Sequence, residues 1–114
     1  MISENALRSF GEMETPFFYY DMDILRQTVG AFSSILGKYG ITTHYAVKAN
    51  SNERILRTIS KAGIQAECAT GNEITLALST GFAAEGIFYD GVAKTDKEIM
   101  TALNAGVSCF NCES

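Results

Sequence analysis

From about residue 40 onward the chain repeats one pattern: an apolar run, a polar turn, an amphipathic stretch, then a small residue and a glycine that introduce the next apolar run. The period is roughly 22 residues, the length of one short βα unit. Strands are expected over residues 42–47, 64–69, 86–89 and 107–112. A helix-start signal follows each of the first three: Asn50-Ser51-Asn52-Glu53, Thr70-Gly71-Asn72-Glu73 and Thr95-Asp96-Lys97-Glu98. The last two have the capping-box form, in which the threonine oxygen accepts from an orphan amide and the glutamate reaches back to the cap amide. Ile55, Leu56 and Ile59, then Ile74, Leu76, Ala77 and Leu78, then Ile99, Met100, Ala102 and Leu103 supply the expected buried helix faces. Gly63, Gly81 and Gly106 stand where C-terminal caps are needed. Repeated β-turn-α order argues for parallel strands covered by helices, either as an open doubly wound sheet or as a (β/α)8 barrel.

Upstream, Asp21 or Asp23 can cap a helix whose Leu25, Val29, Phe32 and Leu36 form one apolar stripe. Thr15-Pro16 punctuates the chain before it, and the aromatic run 17–20 reads as a strand that precedes the repeat. Residues 1–22 are thus expected to be a lead with one strand, and residues 23–114 an α/β domain. The sequence stops at Glu113-Ser114, directly after a strand, whereas a closed barrel needs about 200 residues or more. A partial (β/α)8 TIM-like barrel holding its first four strands is one architecture that this length allows. A small open sheet complete in itself is the alternative.

Charge and composition narrow the partners. A net charge of −4, with no Lys/Arg cluster interleaved with aromatics, argues against nucleic acid. No apolar run approaches the roughly 20 residues that span a bilayer, and residues 1–10 lack the basic lead and apolar centre of a secretory leader. A cytoplasmic location and no membrane association are expected. Three cysteines, Cys68, Cys109 and Cys112, are expected to be reduced thiols. Cys109 and Cys112 form a C-x-x-C, but in a strand they point to opposite faces and no further ligand cluster accompanies them, so no metal is expected.

The residue that carries chemistry is Lys48, in Tyr45-Ala46-Val47-Lys48-Ala49-Asn50. It falls at the carboxyl end of the first repeat strand, where side chains of parallel α/β folds converge on ligands. A lysine partly withdrawn from water there has a more accessible neutral amine, the form that attacks a carbonyl. A strand-end lysine that reaches out to solvent is the plain alternative.

Tyr45-Ala46-Val47-Lys48-Ala49-Asn50 resembles the cofactor-lysine motif of the fold-type III pyridoxal-phosphate (PLP) decarboxylases, and within them of the diaminopimelate decarboxylases. Neighbouring segments match in order. Thr15-Pro16-Phe17 through Tyr20-Asp21 resembles the family's leading strand, which in the full-length family joins a separate β domain. Gly91-Val92-Ala93-Lys94 resembles its Gly-x-x-Lys turn, and Phe110-Asn111-Cys112-Glu113-Ser114 its strand ending in Glu-Ser. At Ala66-Glu67-Cys68-Ala69-Thr70-Gly71-Asn72-Glu73 the chain departs from the family's usual Asp followed by Ser-Gly-Gly-Glu.

The resemblance implies an incomplete PLP-binding barrel domain over residues 23–114. Lys48 would hold pyridoxal 5'-phosphate as a Schiff base, with Glu67 near the cofactor in place of the family's aspartate. It further implies an amino-acid substrate, by resemblance meso-diaminopimelate giving L-lysine in lysine biosynthesis, and a homodimer with its active site at the interface. The isolated 114-residue chain is expected to be inactive and prone to association. The competing expectations are another decarboxylase of the ornithine or arginine type, or a non-catalytic PLP-binding or association module. His44, on the same side of its strand as Ala46, reads as a packed or rim residue. Lys94 reads as a solvated or cross-subunit ion-pairing lysine.

Overall fold

The computed structural model describes residues 2–113, so Met1 and the Ser114 of the Glu-Ser motif lie outside it. Four strands form one sheet in the order β1-β2-β3-β4: β1 (His44–Ala46), β2 (Gln65–Cys68), β3 (Ile87–Tyr89) and β4 (Cys109–Phe110). All three pairings are parallel, with His44 opposite Gln65, Ala66 opposite Ile87 and Phe88 opposite Cys109. The helices α3 (Glu53–Lys61), α4 (Gly71–Ser79) and α5 (Asp96–Asn104) connect successive strands, as the repeat requires. Two further helices precede the sheet, α1 (Glu4–Phe10) and α2 (Met22–Lys38). Each strand is shorter than its apolar run. The first ends at Ala46 because Val47–Ala49 coil into a 3-10 turn, and the third begins only after a second such turn, Ala84–Gly86.

One face of the sheet carries the core. Alternation sends Ala66, Cys68, Ile87 and Tyr89 under the helices, where they meet Ile55, Leu56, Ile59, Ile74, Ala77 and Ala102, all buried. Each full burial of an isoleucine or leucine among them contributes about 1.5–3 kcal/mol. Gly63, Gly81 and Gly106 end α3, α4 and α5 with φ of 78°, 98° and 92°, a region that β-carbons disfavour. The opposite face, bearing His44, Ala46, Gln65, Glu67 and Phe88, has no helix on it among the described residues.

Four details differ from the sequence reading. Residues 17–20 form no strand, since their backbone joins no ladder among the described residues. Instead, Phe17 and Tyr19 pack on Phe10 of α1, with ring centroids 5.3 and 5.0 Å away. That helix has no counterpart in the sequence reading, although Ser3 caps it by accepting from the Ala6 amide at 3.2 Å. On α2, Asp21 is the cap, accepting from the amides of Asp23 and Ile24. Its inward stripe runs Leu25, Val29, Ser33, Leu36 in place of the expected Phe32. The Ser33 hydroxyl donates to Ala62 O at 2.6 Å, and Phe32 stays half-exposed at the rim of an apolar recess beside β1. On α5, Ile99 and Ala102 face inward while Met100 and Leu103 are exposed, because α5 packs mainly along its α4 side.

Candidate functional site

Lys48 sits in the 3-10 turn that ends β1. The turn's first residue, Val47, is fully buried and pins it to the core, while Lys48 continues the open-face register of His44 and Ala46. Glu67 on β2 lies opposite Ala46 and therefore emerges on that same face. Lys48 Nζ donates to Glu67 Oε1 at 3.3 Å, with the lysine side chain 62% exposed and the glutamate 24%. The structure thus brings together the two residues singled out from the sequence. An amine and a carboxylate share one edge of an uncovered sheet face at the carboxyl ends of parallel strands, where α/β folds bind ligands.

Asn50 braces the turn on its far side. Its Nδ2 donates to Tyr20 Oη at 2.9 Å, its Oδ1 accepts from the Asn52 amide at 3.0 Å, and its carbonyl accepts from Tyr45 Oη at 3.3 Å. Burial raises the Tyr45 hydroxyl above its ordinary value, which keeps it a neutral donor. The sequence reading treats Asn50 as the end of the lysine motif and as part of a helix-start signal, with no tie to residue 20. The helix cap itself is Asn52, which accepts from the Arg54 amide.

His44 places its ring edge-to-face with Phe88, centroids 6.0 Å apart, so it stands on the open face as an aromatic neighbour of the site. Lys94 is only partly exposed, and among the described residues it pairs with no carboxylate. Its Nζ donates to Gly91 O and, at 2.7 Å, to Asn111 O, and it lies 5.3 Å from the Tyr89 ring centre. It therefore joins the turns that leave β3 and β4. Gly91 is required there by space, since a β-carbon on it would fall 2.1 Å from Ala69 O.

Glu73 departs from the expected capping box. Thr70 Oγ1 does accept from the Glu73 amide at 3.2 Å, but Glu73 Oε2 accepts from Ala69 N, 2.6 Å away and one residue before the cap. The full box belongs to Thr95 and Glu98. Glu98 Oε1 also accepts from Gly71 N at 3.1 Å, so one carboxylate serves the first turns of α4 and α5 together. These bonds, led by the one from Gly71, hold its carboxyl below the ordinary carboxylate range. Cys68 lies beneath the site on the helix side, and burial pushes its thiol up to about 12, with Glu73 and Glu67 adding to the effect, which leaves it a poor nucleophile.

The donor chemistry fits an aldehyde cofactor. Lys48 offers a primary amine on a side chain that is mostly exposed and that, among the described residues, hydrogen-bonds only Glu67. No group of three or more His, Cys, Asp and Glu side chains suited to a metal ion occurs among the described residues. No helix there is long and apolar enough to cross a membrane.

Residues 23–114 match the pyridoxal binding domain of the pyridoxal-dependent decarboxylases. A diaminopimelate decarboxylase from Bacteroides thetaiotaomicron is 44% identical over 106 residues, covering 92% of this chain and 28% of its own length. A mutant diaminopimelate decarboxylase from Helicobacter pylori, solved with L-lysine, superposes with a TM-score of 0.82 at 33% identity, over 95% of this chain and 27% of the other. A lysine/ornithine decarboxylase from Vibrio vulnificus, solved with putrescine, gives 0.79 at 26% identity, over 96% and 31%. The chain spans about a quarter of the length of the curated relatives it matches. Its four parallel strands correspond to part of the barrel domain of these enzymes.

Proposed function

The chain belongs to the fold-type III pyridoxal-dependent decarboxylases, and from that premise we propose that it contributes the cofactor lysine, Lys48, to an enzyme that decarboxylates meso-diaminopimelate to L-lysine. The observation that carries the proposal is the placement of Lys48 Nζ on the open sheet face, hydrogen-bonded to Glu67 at 3.3 Å. Lys48 would hold pyridoxal 5'-phosphate through its amine, with Glu67 of the next strand beside that amine. When bound, the cofactor supplies an electron sink for the pair left on the α-carbon as carbon dioxide departs. The chain's own part is to present the amine at a fixed place. Val47 and Asn50 hold the two ends of its turn, and Glu67 keeps the free amine over the face where a substrate arrives.

The choice of substrate is supported by the 44% identity to a diaminopimelate decarboxylase. A second reading, decarboxylation of ornithine or a similar basic amino acid, is favoured by the likeness to the Vibrio lysine/ornithine enzyme. Carbon dioxide release by the full-length protein from meso-diaminopimelate, ornithine and arginine separates the two. The proposal expects the highest kcat/KM for meso-diaminopimelate. A higher value for either basic amino acid overturns the substrate assignment, and no release from any of them leaves a PLP-binding module without catalysis.

A further inference from the structure

We infer that Tyr20 and Asn50 are positioning residues for the Lys48 amine, so that the segment before the pyridoxal binding domain acts on the site through a single side-chain amide. The functional weight of this inference rests on Lys48 being the cofactor lysine. Tyr20 precedes the residues that match the domain, 23–114, yet its hydroxyl oxygen receives Asn50 Nδ2 at 2.9 Å. Asn50 stands two residues beyond Lys48 and uses three different atoms to tie down the backbone there. Its amide nitrogen reaches Tyr20, its amide oxygen takes the Asn52 N–H, and its carbonyl takes the hydroxyl of Tyr45 from within β1.

Lys48 itself has little to fix it. Its one polar partner among the described residues is Glu67, and most of its side chain is open to solvent. A long side chain so lightly packed points where its backbone points, so whatever holds the turn holds the amine. On the near side that is Val47, buried in the core. On the far side it is Asn50, and Tyr20 is the group that orients the Asn50 side chain. Tyr20 belongs to an aromatic run, its ring 6.5 Å from that of the exposed Phe18 and next in sequence to Tyr19, which packs on Phe10 of α1. This gives the four consecutive aromatics of residues 17–20 a role that sheet pairing does not supply.

A neutral, partly exposed hydrogen bond has a modest net strength, so its loss loosens the turn by a few-fold and leaves the fold intact. The test uses the full-length protein with Tyr20→Phe, Asn50→Asp and the double variant. Two readouts need no cofactor: hydrogen exchange of the Asn52 amide, and acetic anhydride labelling of Lys48 in competition with the exposed Lys38 and Lys61. Tyr20→Phe should speed exchange at Asn52 about 3- to 10-fold and change Lys48 labelling by a similar factor, with the Lys38 to Lys61 ratio constant. Asn50→Asp should stay near wild type, because an aspartate still accepts from Asn52 N–H and can accept from the Tyr20 hydroxyl with the donor reversed. Adding Tyr20→Phe to Asn50→Asp should then restore the full effect. Unchanged exchange and labelling in Tyr20→Phe, or an Asn50→Asp effect as large as that of Tyr20→Phe, would overturn the inference. A response in both readouts together with failure of Lys48 to take up pyridoxal 5'-phosphate would leave the positioning intact and remove only the cofactor assignment.

Discussion

Lys48 Nζ and Glu67 Oε1 stand 3.3 Å apart, bridging the carboxyl end of β1 and the middle of β2 on a sheet face that carries no helix among the described residues. The pair is open to solvent on the lysine side, and exposed ion pairs contribute only about 0–1 kcal/mol to stability. Its value on this account is positional. Glu67→Ala should therefore leave the urea unfolding midpoint of the full-length protein nearly unchanged while lowering kcat/KM for the proposed decarboxylation about 10- to 100-fold, the scale of a misplaced reacting group. A matched loss of stability and activity would make the pair structural.

Gly91 lies against the backbone of the preceding unit. A β-carbon there would sit 2.1 Å from Ala69 O, with the ring of Tyr89 also in contact, and neither backbone segment can yield cheaply. Gly91→Ala should destabilise the protein by about 2–3 kcal/mol through forced overpacking. Equilibrium denaturation measures this, and a change below about 0.5 kcal/mol would contradict the close approach.

Thiol reactivity should divide the three cysteines. Cys109 and Cys112 are exposed, whereas Cys68 is buried with its thiol pushed up to about 12. In the native protein at pH 8, iodoacetamide should alkylate Cys109 and Cys112 and reach Cys68 only after denaturation. Peptide mass mapping before and after unfolding gives the answer, and prompt native labelling of Cys68 would show that the face under β2 opens readily.

Acid should act in part through Glu98, whose carboxyl is held down by the Gly71 amide and by the hydroxyl and amide of Thr95. A depressed carboxyl stabilises the fold above its unfolded value and loses that contribution as pH falls through its folded value. The loss therefore lies at pH below the ordinary value of about 4.5. Glu98→Gln should be less stable than wild type at neutral pH, and the gap between their urea midpoints should close as the pH is lowered through that window. A gap independent of pH would assign the effect to packing rather than charge.

Periodic features of this chain were legible before its fold was known. The strand runs, the threonine caps at Thr70 and Thr95, and the glycines at 63, 81 and 106 follow from local chemistry, and each is found in place. Lys48 could be singled out because its place at the carboxyl end of a strand and the family motif both point to it, and Glu67 because it stands where the family has an aspartate; their meeting follows from parallel register. What could not be read depends on contacts distant in sequence. The run 17–20 has strong strand propensity, but a strand needs a partner edge, and its rings find Phe10 instead. Phe32 fits the spacing of the α2 stripe, yet Ser33 takes the inward position by bonding Ala62. Glu98 reads as a local cap, and nothing near it in sequence announces its bond to Gly71, 27 residues away. Asn50 is the most instructive case, because a residue that looks like a turn former also links Tyr20 to the lysine turn.

The central claim is that Lys48 is the residue that binds the cofactor. Incubation of the full-length protein with pyridoxal 5'-phosphate, reduction with borohydride and peptide mass mapping test it directly, with Lys48→Ala as the control. The account predicts a single stoichiometric label on Lys48, absent from the variant. A label distributed over other lysines, or one that survives in Lys48→Ala, would contradict it.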